Sequence, residues 1–238
     1  MVNTMKAAVY AGTRNLYSDM ITAAKSLTSN SSVEIIYFLI EDPVFPEELP
    51  EHIRCIDASK QKFIIRNGPN VYKLWTWMTL MRAILTKFFP EQDRILSLDV
   101  DTIVDKNIDE LWDLDLTNYY LAGVPEPKKS MPDMPYINMG VAMHNLSKMR
   151  TDRIDAEFIY RLNNIKYPFA EQDCINSICG KKTFLLSSTY NANNWTSPCD
   201  DPKIIHYACD KSYNQKPLWL KYKSMSWDEI KERRPCGT

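Results

Sequence analysis

The 238-residue chain predicts an α/β protein with a mainly parallel central sheet flanked by helices. Two stretches carry this reading. The first segments run strand, helix, strand, and that order winds right-handed into a doubly wound sheet. Further on, the short apolar run Ile95, Leu96 and Leu98 reads as a buried strand, and it delivers two carboxylates, Asp99 and Asp101, at its carboxyl end. Open α/β sheets bind their ligands at that edge.

In order, Lys6–Tyr10 is the first strand, and a polar turn follows over Ala11–Asn15. Tyr17, Met20, Ile21, Ala24 and Leu27 then mark one face of a helix. Val33–Ile40 is a near-continuous apolar strand, the pattern of a parallel strand covered on both faces. Pro43, Pro46 and Pro50 punctuate the connection to a short strand at Ile53–Ile56. Lys73–Phe89 carries the strongest helical period, with Leu74, Trp77, Met78, Met81, Leu85 and Phe88 as its core stripe. Trp75, Thr79, Arg82 and Thr86 lie on another face, and Pro90 stops the helix. Arg82 stands out, because a guanidinium on a mostly apolar helix needs an anionic partner.

After Asp101 a short helix is expected over Ile108–Leu114, then a strand at Tyr120–Val124. Pro125–Pro135 holds four prolines and reads as an exposed loop able to frame a site. Ile137–Met143 is the next strand, and Gly140 inside it signals a close approach of backbone or ligand. Asp152–Asn164 is helical, and a further helix starts at Glu171 with its acids in the favourable first turn. Phe184–Leu186 and Ile204–Tyr207 are short strands, and the tail from Ser224 forms a terminal helix. No internal repeat divides the chain. The expected organisation is one domain, in a first half (about 1–105), a second half (106–220) and a helical tail (221–238).

Composition excludes several classes. Net charge is −1, so no global field draws the chain to nucleic acid. No apolar run approaches the ~18 residues of a membrane span. The six cysteines form no C-x-x-C pair or zinc spacing, and the first residues lack the pattern of a signal peptide, so a cytoplasmic protein with reduced thiols is expected. There is no G-x-x-x-x-G-K-[ST], G-x-G-x-x-G or G-x-S-x-G. With six glycines in the chain, phosphate would have to be neutralised by a metal, Lys and Arg rather than by a glycine-rich cradle.

Residues two apart on an extended segment point the same way, so Asp99 and Asp101 are either a divalent-metal site or a solvated turn. Chance alone gives roughly one D-x-D in a chain with 18 Asp, and a second copy, Asp113–Asp115, follows a helix instead of a buried strand and reads as a solvated helix end. His206 ends a strand and is either a third ligand or a satisfied structural histidine. Lys216 is either a phosphate-binding ammonium or an exposed loop residue.

The order of these pieces resembles glycosyltransferase family 8, the retaining group that includes glycogenin and bacterial lipopolysaccharide galactosyl- and glucosyltransferases. The matching pieces are A-G-T-R-N-L-Y (11–17), the segment carrying Arg82, R-I-L-S-L-D-V-D-T-I-V (94–104), I-D-E-L-W (108–112), Y-I-N-M-G-V-A-M-H-N-L (136–146), E-Q-D-C-I-N (171–176), and I-I-H-Y followed by K-P-L-W (204–219). The resemblance implies a GT-A fold and a UDP-sugar donor, with the first half (about 1–105) binding the nucleotide and the second (106–220) the donor sugar and the acceptor. It implies Mn²⁺, with Mg²⁺ as the alternative, on Asp99, Asp101 and His206. Uridine would lie near Ala11, Asn15 and Tyr17, and Arg82 and Val100 would help hold the donor. Asn138 and Glu171–Asp173 would surround the sugar, and Lys216 would meet the diphosphate. Gln172 aligns with the family's far-face residue; as a neutral amide it is a poor nucleophile, which favours same-face attack with Asp173 holding sugar hydroxyls. The acceptor implied is a carbohydrate, a lipid-linked glycan or a protein. The competing readings are a sugar nucleotidyltransferase, a UDP-sugar hydrolase and an inactive nucleotide-sugar-binding protein. This chain departs from the family in three places. Gly12, Thr13 and Arg14 stand where an acid usually reads the uracil, Glu171 replaces an Asp, and the loop between His206 and Lys216 is longer and lacks a glycine, which brings Lys211 into play.

Overall fold

A computed structural model describes residues 5–72, 76–131 and 133–235. Its centre is a seven-stranded sheet built from β1 (Ala7–Gly12), β2 (Ile35–Ile40), β3 (Ile53–Asp57), β4 (Arg94–Leu98), β6 (Leu121–Pro125), β7 (Ile137–Asn145) and β8 (Thr183–Leu185). The order is β3-β2-β1-β4-β7-β6-β8. β1, β2, β3 and β4 pair in parallel, β7 is antiparallel to β4 and β6, and β8 pairs in parallel with β6. Every strand but β7 therefore runs the same way. β5 (Thr102–Val104) and β9 (Ile204–His206) form a separate antiparallel pair.

Both faces of the sheet are covered, which is why β1 and β2 read as unbroken apolar runs. On one face Val9, Tyr37 and Leu39 pack with residues 78–89, α4 (Ile154–Asn164) and α5 (Ala170–Cys179). On the other, Tyr10, Ile36 and Phe38 pack with Met20, Ala24 and Leu27 of α1 (Tyr17–Ser29). α6 (Pro217–Ser224) and α7 (Trp227–Arg233) close over α1 around the buried Trp219, Tyr222 and Ile230. A capping box, Ser226 with Glu229, starts α7. The strand after Asp101 and the helix after Lys216 are both absent from the expected elements.

The largest correction concerns Lys73–Phe89. Residues 73–75, with the expected positions Leu74 and Trp75, lie outside the described residues. The rest is a 3₁₀ helix at Thr79–Ile84 followed by a single α-turn, α2 (Leu85–Phe88). A 3₁₀ helix eclipses residues three apart, so Thr79, Arg82 and Leu85 fall in one line on the wall of a cleft. Thr86, expected beside them, is instead buried and donates to Asp155 at 2.7 Å. The helix expected over Ile108–Leu114 is likewise 3₁₀, over Asp109–Asp113, and the segment after β7 splits into α3 (Leu146–Thr151) and α4 at Arg153, whose φ is 56°.

His144 on β7 is buried with Nε2 2.9 Å from Ser97 Oγ. Burial, with some help from the charge of Arg82, pushes its pKa down to about 3. The folded state thus holds a neutral ring that the unfolded chain would protonate below its ordinary value. Stability from this group is present above about pH 6.5 and is lost at up to about 1.4 kcal/mol per pH unit as pH falls towards 3. Replacing His144 with Gln is expected to flatten the dependence of Tm on pH between 6 and 4; parallel curves for wild type and variant would contradict the assignment.

Candidate active site

β4 ends at Leu98, and the turn that follows is tied down from both sides. The Asp99 N–H donates to Gly140 O at 2.8 Å, and Thr102 Oγ1 donates to Asp99 O at 2.7 Å. β5 then pairs with β9 in a register that sets Thr102 opposite His206, and the Tyr207 N–H donates to Asp101 O at 3.0 Å. The strand pairing brings a histidine from more than one hundred residues away onto the two carboxylates. His206 Nε2 lies 3.5 Å from Asp99 Oδ2 and 3.3 Å from Asp101 Oδ1. One donor atom from each residue lies within 4.8 Å of the others.

Two carboxylate oxygens and one imidazole nitrogen form a donor set that can hold a divalent metal ion. Gly140 makes the cluster sterically possible. A Cβ there would stand 2.0 Å from His206 Cε1 and 2.4 Å from Nδ1, so the ring occupies the space a side chain would fill. The close approach expected at this glycine is the imidazole itself. Across the ring, Nδ1 lies 2.9 Å from Asn191 Oδ1.

Arg82 supplies the fixed positive charge. It is almost fully buried, with Nη2 2.8 Å from Asp99 Oδ1 and 3.1 Å from Glu171 Oε1, and Nη1 donating to Met139 O. The anionic partners expected for this residue are thus Asp99 and Glu171. Burial works against the His206 cation, but Asp101 and Asp99 outweigh it and hold its pKa above the ordinary value. Burial likewise opposes ionisation of Asp101, and His206 with Arg82 more than compensates. Glu171 goes the other way: burial lifts it to about 7 against the pull of Arg82.

A cleft of about 370 Å³ opens over this cluster, lined among others by Ala11, Thr79, Arg82, Asp99, Val100, Asp101 and Tyr213. Asn15 is exposed on the first loop. Tyr17 is a core residue whose hydroxyl donates to Asp42 and accepts the Glu41 N–H. Beyond the cluster of Asp99, Asp101 and His206, Asn138, Gln172 and Asp173 gather around Glu126 and Tyr136. Asn138 Nδ2 donates to Glu126 Oε1 at 2.8 Å, Gln172 Nε2 donates to the same oxygen at 3.2 Å, and Tyr136 OH donates to Asp173. Lys216 is absent from the cleft lining, half-buried and paired with Asp210 at 3.1 Å, while Lys211 is exposed on the same loop. Glu126, Tyr136, Asn191 and Tyr213 escape a sequence reading. Of these, only Tyr136 falls inside a motif, the one that begins Y-I-N-M-G.

A mainly parallel sheet with an acidic and imidazole cluster at the carboxyl end of a central strand is the architecture of the GT-A class. The chain belongs to glycosyl transferase family 8, whose description it matches over residues 8–221. It is 28% identical over 265 residues to glycosyltransferase GlyE of Streptococcus pneumoniae serotype 4, covering 97% of this chain and 64% of GlyE. With glycosyltransferase GlyA of the same organism the identity is 24%, covering 94% and 36%. The chain thus spans less than two thirds of these curated relatives. The crystal structure of GlyE superimposes with a TM-score of 0.73 at 22% identity, over 97% of this chain and 63% of that one. The galactosyltransferase LgtC, in complex with donor and acceptor sugar analogues, superimposes with a TM-score of 0.70 at 18% identity, over 95% and 99%. Among the described residues no helix is long and apolar enough to cross a membrane.

Replacing Gly140 with Ala is expected to push the His206 ring off the cluster and lower Mn²⁺ affinity by about tenfold or more in a calorimetric titration. The same overlap should cost about 1–3 kcal/mol of stability. Unchanged metal affinity would show that His206 is not a ligand.

Proposed function

We propose that this protein is a metal-dependent, retaining hexosyltransferase that moves glucose or galactose from a UDP-sugar to an acceptor hydroxyl on a carbohydrate, a lipid-linked glycan or a protein. The observation that carries the reading is the cluster of Asp99, Asp101 and His206, whose two carboxylates line the cleft with Arg82 beside them. Membership of family 8 and the LgtC complex with donor and acceptor analogues support it.

Mn²⁺ held by Asp99, Asp101 and His206 would supply Lewis-acid stabilisation of the departing diphosphate, with Mg²⁺ as the alternative. The protein's own groups do the rest. Arg82 holds Asp99 in place and adds a fixed charge at the cleft. Ala11, Asn15, Tyr17 and Val100 form the nucleotide end. Lys216 adds charge at the diphosphate once it exchanges Asp210 for that partner.

Retention requires either a nucleophile on the far face of the sugar or arrival of the acceptor on the face the diphosphate leaves. Gln172 is a neutral amide with Oε1 accepting the Met139 N–H at 3.0 Å and Nε2 donating to Glu126 and Tyr136. Held this way it acts as an oriented dipole beside the cationic sugar, and the acceptor attacks from the leaving side. Asp173, Glu171 and Asn138 hold the sugar hydroxyls.

Calorimetric titration of UDP with and without Mn²⁺, then of UDP-glucose and UDP-galactose, tests the donor site. UDP binding should require the ion. Asp101→Ala should abolish both Mn²⁺-dependent UDP binding and transfer while Tm moves by only a few degrees. Binding of UDP that ignores Mn²⁺, or wild-type transfer by Asp101→Ala, would sink the metal assignment.

A further inference from the structure

Two exposed aromatic rings stand at opposite ends of one chain of polar contacts, and the middle of that chain is Asn138. At one end is Trp195. Ala192 pairs in parallel with Ile205, and its carbonyl accepts the His206 N–H at 3.0 Å. The chain therefore runs alongside β9 and passes His206 in the same direction, so residues 193–195 emerge on the side where Asp99 and Asp101 lie. There the turn is locked. Asn193 Nδ2 donates to Asn191 Oδ1 at 2.9 Å, the Trp195 N–H donates to Asn193 Oδ1 at 2.8 Å, and Thr196 Oγ1 donates to Asn191 O at 2.9 Å. The Trp195 carried by this turn is 45% exposed.

At the other end is Phe169, just before α5. Its N–H donates to Asp173 Oδ2 at 2.8 Å, and its carbonyl accepts the Gln172 N–H at 3.0 Å. The Lys129 ammonium lies 3.5 Å from the centre of its ring and 3.0 Å from Glu126 Oε2. Phe169 is 39% exposed. Between the two ends, Asn191 Nδ2 donates to Asn138 Oδ1 at 3.0 Å, and Asn138 Nδ2 to Glu126 Oε1 at 2.8 Å. A single exposed apolar residue is ordinary and needs no explanation. These two differ, because each sits on hydrogen-bonded backbone and together they flank Asn138, Gln172 and Asp173. Each ring also has polar groups beside it, Asn193 and Thr196 at Trp195, Lys129 and Asp173 at Phe169. The electron-rich face of an aromatic ring attracts polarised C–H groups. A pyranose presents such C–H groups on one face, and the hydroxyls around its rim need hydrogen-bonding partners nearby.

We propose that Trp195 and Phe169 wall a subsite for a carbohydrate acceptor. The C–H face of a terminal pyranose stacks on Trp195, and Phe169 with Lys129 bounds the opposite side. The acceptor hydroxyl then points between them, towards the sugar held at Asn138, Gln172 and Asp173. The acceptor is on this account a glycan, and whatever carries that glycan lies outside the subsite. The inference rests on the transferase reading proposed above, which supplies the donor-sugar end.

Saturation-transfer NMR with methyl β-glucoside, methyl β-galactoside and lactose, on protein with and without UDP and Mn²⁺, tests it. At least one of these sugars should bind wild type, with the strongest enhancement on the C–H protons of one ring face. Trp195→Ala should weaken that binding about fivefold or more, Phe169→Ala by less, and Trp195→Tyr should restore most of it. Tm and UDP affinity measured alongside should match wild type in each variant, so that the loss is read at the subsite alone. Octyl β-glucoside separates a sugar from a lipid chain: Trp195→Ala should weaken the octyl and methyl glucosides by the same factor. Binding of none of the sugars, sugar binding that ignores Trp195, or loss in Trp195→Ala of the gain from the octyl chain alone would each overturn the subsite. Wild type that binds a glycoside through Trp195 but binds no UDP, with or without Mn²⁺, would leave the carbohydrate subsite standing and overturn the donor reading instead.

Discussion

Asp99 and Asp101 leave β4 with one residue between them, and carboxylates that close repel unless positive charge lies beside them. Much of the surrounding structure answers that repulsion. Arg82 is brought in from a 3₁₀ helix on one side of the sheet, and His206 from a strand pair on the other. Each is buried, so each needs its own partners: Glu171 and Met139 O for Arg82, Asn191 for His206. The demand for satisfied polar groups then spreads outward through Asn138 to Glu126 and Gln172.

The strands were legible because their signal is local. β1, β2 and β4 are short apolar runs bounded by turns, and a strand covered on both faces cannot look otherwise. Asp99, Asp101 and Gly140 were legible for a related reason, since each is an exception inside such a run. The segment carrying Arg82 misled because apolar residues three and four apart fit α and 3₁₀ geometry almost equally over two turns. Only the line Thr79, Arg82, Leu85 along the cleft separates them. α6 was hidden by Pro217, which reads as a breaker yet sits comfortably in the first turn of a helix.

Asn191 and Glu126 show what a single sequence withholds. Neither lies in a periodic pattern, and an Asn in the run N-A-N-N or a Glu between two prolines reads as a solvated loop. Their burial depends on contacts across 53 and 12 residues of chain, which no local pattern encodes. The same limit applied to His206, whose role followed from the family resemblance before the β5–β9 pairing supplied its geometry.

The reversed direction of β7 has a further consequence. In a sheet of parallel strands, only residues leaving a strand reach the ligand edge, and residues entering it are stranded on the opposite side. Because β7 runs against its neighbours, its entering residues Asn138, Met139 and Gly140 arrive where β4 departs, with Leu98 opposite Val141. The site thus draws on both the beginning of one strand and the end of another, and backbone groups interior to the sheet become anchors for it: Met139 O takes the Arg82 guanidinium and Gly140 O the Asp99 N–H. Six parallel strands build the floor; the one that runs the other way gives the floor a second set of anchor points.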